Sequence, residues 1–226
     1  MSLKSFILNL LFPLECLGCK SEGTWLCEKC FRKIKFNDKK YSLLTPSLEE
    51  IFIAGDYDDK VLADLIKKLK FNFVADIAPI LGRFLSLFWE GIIFSRTELK
   101  PNIGNEDKLN NKPILLVPLP LSRKRKNWRG FNQAELIAKA FNENYNYPIN
   151  FDLKKIKDTK AQSSLDEIGR AKNIKACFTW TGESLKNKIV ILIDDVVTTG
   201  ATLNEAAAVL KNAGADKIYG LVVAKG

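Results

Sequence analysis

Residues 189–202 read IVILIDDVVTTGAT, and the order of side-chain types in this stretch decides the fold class. Five apolar residues, Ile189 to Ile193, read as a strand and end in two adjacent carboxylates, Asp194 and Asp195. A turn of small and hydroxyl side chains follows, Thr198-Thr199-Gly200-Ala201-Thr202, and then a helical pattern from Leu203 to Asn212. In open α/β sheets ligands lie beyond the carboxyl ends of the strands, and a loop leading into a helix N-terminus offers free N–H groups and a positive dipole end to an anion. Gly200 lets the backbone approach a ligand closely, and threonine hydroxyls donate to phosphate oxygens. Paired carboxylates accept from vicinal ribose hydroxyls or hold a divalent metal. The chemistry implied is a phosphorylated sugar.

The same residues resemble the binding signature of type I phosphoribosyltransferases. That resemblance implies that Asp194 and Asp195 hold the ribose 2′- and 3′-hydroxyls of phosphoribosyl pyrophosphate (PRPP), with Mg²⁺ bridging hydroxyls and pyrophosphate. The following turn, Val196 to Thr202 with Thr198, Thr199, Gly200 and Ala201, would then cradle the 5′-phosphate.

A chain of 226 residues has room for one α/β core and a small appendage. The formal charge of +9 favours an anionic ligand or polymer, and the absence of histidine removes imidazole as base or metal ligand. Arg83 and Glu90 interrupt the longest apolar stretch, Ile77 to Phe94, which argues against a membrane span. Phe6 to Leu14 is apolar and follows Lys4, yet it lacks a small-x-small cleavage site, so it reads as a docking segment. The expectation is a protein of the reducing cytoplasm that is not embedded in a membrane.

Cys16, Cys19, Cys27 and Cys30 give C-x2-C-x7-C-x2-C, two chelating pairs whose four thiolates would complete the tetrahedron preferred by structural Zn²⁺. Trp25 and Phe31 are expected to cover it. This defines an N-terminal zinc module over residues 1–42 and a phosphoribosyltransferase-like domain over 43–226. The cations from Lys29 to Lys40 form either a nucleic-acid contact or a solvated face.

Ile51 to Tyr57 reads as a strand, Asp59 to Lys70 as an amphipathic helix and Val74 to Phe88 as a largely buried helix. Pro101 to Lys112 reads as an exposed insertion, and Pro113 to Pro118, PILLVP, as a buried parallel strand. The turn after it, Pro120-Leu121-Ser122, opens a basic loop in which Arg123, Lys124, Arg125, Lys126 and Arg129 fall within eight residues. Such a loop at a strand's carboxyl end suits a pyrophosphate, which Arg can bind bidentately. Trp128 within it is placed to stack on a base. The polar stretch Thr159 to Arg170 fits a flap that closes over ligand, and Lys217 to Ala224 reads as a last buried strand.

The segment VPLPLSRKRKNWRGFNQAELIAKAF, residues 117–141, resembles the PVPL…R…RGFNQAELLA signature of the ComF family. Asp158, Thr159, Gln162, Leu165, Arg170, Asn173 and Phe178 stand at that family's spacings, and the four-cysteine knuckle and acidic-pair loop extend the similarity over essentially the whole chain. The insertion near Pro101 and Cys177, where a small residue is expected, are departures. The resemblance implies an α/β fold: a type I phosphoribosyltransferase-like open parallel sheet flanked by helices. It also makes Lys70, which precedes Phe71 at the place of a family lysine near the pyrophosphate, a site candidate beside the plain reading of a surface lysine. Base-contacting residues of such enzymes come from a variable hood, expected within Leu43 to Asp58.

Two functions are implied. One is a PRPP-binding protein of natural competence that handles incoming single-stranded DNA in the cytoplasm during transformation, with other DNA-uptake proteins such as a helicase as partners. The alternative is an active phosphoribosyltransferase that joins phosphoribosyl to an unidentified base or amine with release of pyrophosphate, unrelated to DNA.

Overall fold

The computed structural model describes residues 14–38, 45–95, 99, 112–157 and 177–226. The insertion from Pro101 to Asn111 and the flap from Thr159 to Arg170, with the ComF-like positions Asp158, Gln162, Leu165 and Asn173, lie outside them. So do Phe6 to Pro13 and Tyr41 to Leu44.

Four parallel strands form the central sheet in the order β1 (Glu50–Asp56), β6 (Lys217–Lys225), β5 (Ile189–Val197), β2 (Ile114–Pro118). Their β-branched and leucine-rich runs fit a sheet covered on both faces. Because side chains alternate across a strand, β5 feeds two cores. Ile189, Ile191 and Ile193 enter one, while Val190 and Leu192 enter the other beneath helix α6 (Ala201–Asn212).

The first core is covered by α2 (Lys60–Phe71), α3 (Ala78–Ser95) and α5 (Gln133–Asn142). The Asp59 carboxylate caps α2 by accepting from Leu62 N–H at 3.0 Å. A 3₁₀ turn, Ala75–Ile77, precedes α3, so the single helix expected from Val74 is two pieces and extends further, to Ser95. By length and composition the stretch Ala75–Ser95 could cross a membrane. Its Leu81, Phe84, Leu85 and Trp89 are instead buried in the core. At Gly82 a Cβ would stand 2.5 Å from Ala140 Cβ, so only glycine lets α3 and α5 approach this closely.

One expectation is corrected, and one element is added. The basic segment is a helix, α4 (Arg123–Arg129), because the Ser122 hydroxyl accepts from Arg125 N–H at 3.4 Å and caps it, and Arg and Lys are good helix formers. Glu50–Asp56, read as a strand over Ile51 to Tyr57, is edge strand β1, hydrogen-bonded to β6, and takes up part of the stretch from Leu43 to Asp58 in which a hood is expected. A small antiparallel pair, β3 (Leu153–Lys155) with β4 (Phe178–Trp180), was not foreseen.

The N-terminal knuckle, with helix α1 (Glu28–Phe31), packs onto this core. Phe31 meets Phe84 edge-on at 6.5 Å, and Arg83 donates two hydrogen bonds to Glu28, at 2.7 and 2.9 Å. Arg83 and Arg32 hold the Glu28 carboxyl down at about 2.

Candidate functional site

The carboxyl ends of β2 and β5 open into a cleft of about 350 Å³. Asp194, Asp195 and the segment Val196 to Leu203 form its floor. Gly200 takes a left-handed conformation (φ 80°) to turn the chain into α6, a backbone state that costs glycine nothing. Lys70 and Phe71, at the end of α2, line it with Pro120, Leu121, Arg125, Trp128 and Arg129, and the Arg129 guanidinium lies 6.0 Å from the centroid of the Phe71 ring.

The acidic neighbours differ because the pleat sends them to opposite faces of β5. Asp195 continues the face of Ile191 and Ile193, is 2% exposed, and its Oδ1 lies 2.9 Å from Lys70 Nζ. Its Oδ2 is buried with no hydrogen-bond partner among the described residues. Asp194 is half-buried. Burial first, and the adjacent Asp195 carboxylate second, push its pKa up to about 8 against the pull of Lys70.

Arg129 forms a buried part of the wall. Its Nη1 donates to Gln133 Oε1 at 2.5 Å, and its Nε is buried without a partner among the described residues. Burial lowers its pKa, opposed by Asp195. Trp128 is 62% exposed and meets Phe73 edge-on at 5.0 Å. Phe73 itself has φ 60°, an outlier for a bulky side chain.

Ser122, Arg123, Lys124 and Lys126 of the basic segment are not in the cleft. Ser122 is 4% exposed and its hydroxyl caps α4. Arg123 lies on the other face of α4 and lines a neighbouring groove with Lys126. The helical period explains it: residues 123 and 126 share one side, and 125 and 129 the opposite one. Conversely, Phe71, Gln133 and Lys155 line the cleft without having been singled out. Gln133 carried no periodic signal, because Gly130 ends α4 and Asn132 caps α5 between it and Arg129, and Lys155 sits in a strand too short to show a period.

A second cluster stands at the knuckle, where the sulfurs of Cys16, Cys19, Cys27 and Cys30 lie within 4.8 Å of one another and could hold a metal ion. Cys19 and Cys27 sulfurs are 3.6 Å apart, against about 3.8 Å for the edge of a tetrahedron with metal–sulfur bonds of ~2.3 Å. Burial opposes the Cys16 thiolate, but N–H donors from Cys27, Cys19 and Gly18 outweigh it and bring this thiol down to about 6. Burial and the other three thiols push Cys30 up to about 12. Four thiolates can share this space only around a cation. Phe31 and Trp25 pack into the same core as Cys16 and Cys30, and Lys68 Nζ is 5.0 Å from the Trp25 indole.

Residues 127–226 match the phosphoribosyl transferase domain family. Competence protein F of Haemophilus influenzae is 30% identical over 92% of this chain and 82% of its own length. Competence protein ComFC of Bacillus subtilis is 37% identical over 46% of this chain and 41% of its own length. DNA utilization protein YhgH of Escherichia coli is 27% identical over 84% and 73%. Among solved structures, a hypoxanthine phosphoribosyltransferase from Staphylococcus aureus is similar at 15% identity, with a TM-score of 0.33 over 61% of each chain. With a phosphoribosyltransferase-like fold, a four-cysteine knuckle and a relative matched along most of both chains, the protein belongs to the ComF family.

Proposed function

We propose that the cleft binds PRPP with Mg²⁺ and that the protein serves cytoplasmic handling of incoming single-stranded DNA during transformation. One observation carries the ligand: the cleft joins a carboxylate floor, a hydroxyl-rich loop at the start of α6 and buried Arg129. Asp194 and Asp195 suit ribose hydroxyls, the loop Thr198 to Thr202 suits the 5′-phosphate, and Arg129, Arg125 and Lys70 suit the pyrophosphate. The buried Asp195 Oδ2, without a partner among the described residues, fits hydroxyl donors or the hard Mg²⁺ ion. Mg²⁺ would supply charge neutralisation of the leaving pyrophosphate. The four thiolates fit structural Zn²⁺, which leaves no open coordination position and so stabilises the knuckle.

The DNA role is supported by the names of the relatives, which speak of competence and DNA utilization and weigh against a role unrelated to DNA. A DNA-uptake helicase is the proposed partner class. Turnover is the second reading, favoured by the cation-lined wall: Arg129 and Arg125 would stabilise departing pyrophosphate while a nitrogen nucleophile attacks the anomeric carbon. Thermal unfolding with PRPP and Mg²⁺ tests the ligand. Binding to the folded state adds ~2.7 kcal/mol at a hundredfold excess over Kd; an unchanged Tm at millimolar PRPP refutes it.

A further inference from the structure

Arg123, displaced from the cleft, leads to a separate feature. It lines a groove of about 450 Å³ with Lys126, Lys139, Lys154 and Lys155, on the far side of α4. Glu135 is the only carboxylate in that lining among the described residues, and its Oε1 already accepts from Lys126 at 3.3 Å and from Asn132 at 3.2 Å. Five cations from α4, α5 and β3 therefore face one engaged acid. Phe151 adds an exposed ring to the same groove, with Lys139 Nζ 5.7 Å from its centroid and Lys154 Nζ donating to its carbonyl at 2.7 Å.

We infer that this groove is a second subsite, which takes the phosphodiester backbone of single-stranded DNA along its cations and stacks a base on Phe151. The inference rests on the DNA-handling reading above and gives that DNA a path. A free diphosphate would use the cations but not the ring; a single strand uses both, since each base presents a π-face. Pro120, Leu121 and Lys155 line both cleft and groove, so a strand leaving one passes directly into the other.

The test uses the full chain and fluorescein-labelled oligothymidylate, with anisotropy read over a salt series. Lys139→Gln plus Lys154→Gln removes two groove cations that do not line the cleft. Expected is affinity about tenfold lower at low salt and a log–log salt slope shallower by about 1.4, at ~0.7 per cation on a single strand. Phe151→Leu is expected to weaken binding about fivefold without changing the slope. In both variants the PRPP-induced rise in Tm should match wild type, which verifies the fold and the cleft independently. If wild type binds the oligonucleotide and the double variant binds equally well, the groove assignment is overturned while the DNA reading stands. If wild type itself fails to bind, the DNA reading falls and takes the groove with it.

Discussion

Lys70 Nζ lies 2.9 Å from Asp195 Oδ1 and ties the last turn of α2 to the carboxyl end of β5. The lysine side chain is 19% exposed and the aspartate 3%, so the pair is nearly dry and spans two cleft walls. Removing one partner strands the other. Lys70→Met should cost about 2 kcal/mol, less than the roughly 3–5 kcal/mol of a fully buried pair because water reaches the lysine. Lys70→Met with Asp195→Asn should recover most of it. Calorimetric Tm values for the two variants check this; equal losses would mean the ion pair does not hold the wall.

Asp194 sets a pH dependence of opposite sign to the usual carboxylate. Its folded pKa of about 8 lies above the unfolded value near 3.8, so between those values the unfolded state holds fewer protons. Its contribution is fully present below about pH 4 and is lost as pH rises through 8. Asp194→Asn should flatten the stability curve over that window and gain about 1 kcal/mol or more at pH 8. Unfolding measured from pH 5 to 8.5 reads this directly. Mg²⁺ with PRPP needs Asp194 ionised, so its affinity should rise over the same range.

Much of this was legible in the sequence. The runs Ile114 to Pro118 and Ile189 to Ile193 read as buried strands because β-branched residues on both faces leave little else. The cysteine spacing placed the knuckle. The short elements escaped because three residues, as in Leu153–Lys155, show no period, and because clustered cations suggest a loop even where Ser122 caps a helix. Which face of α4 each cation takes depends on that helix, so Arg123 and Arg125 could not be separated beforehand.

The knuckle depends on Gly18. A Cβ there would lie 2.7 Å from Cys30 Sγ, against one of the proposed metal ligands. Freshly purified, reduced wild type should carry about one zinc per chain by elemental analysis. Gly18→Ala should carry substoichiometric zinc and melt at lower temperature, and chelation should lower the wild-type Tm toward that value. Full zinc content in the variant would show that the sulfurs move freely around this position.

Arg129 should dominate pyrophosphate affinity, since it is buried and its Nε has no partner among the described residues. Arg129→Met should weaken inorganic pyrophosphate binding about tenfold or more, given ~1.5–3 kcal/mol for hydrogen bonds to charged groups. Arg129→Lys should not restore it, because a lysine cannot reach Gln133 and the ligand with a planar fork. Calorimetric titration of both variants separates geometry from charge.

The most direct measurement is calorimetric titration of PRPP with Mg²⁺ into wild type and into Asp194→Asn plus Asp195→Asn. Both proteins should be folded, with the loop from Thr198 to Thr202 intact. Saturable binding by wild type and a Kd at least about tenfold weaker in the double variant are predicted, in line with ~1.5–3 kcal/mol for each charged hydrogen bond lost. Equal affinities would remove the acidic pair from the ligand site and contradict the assignment of the cleft.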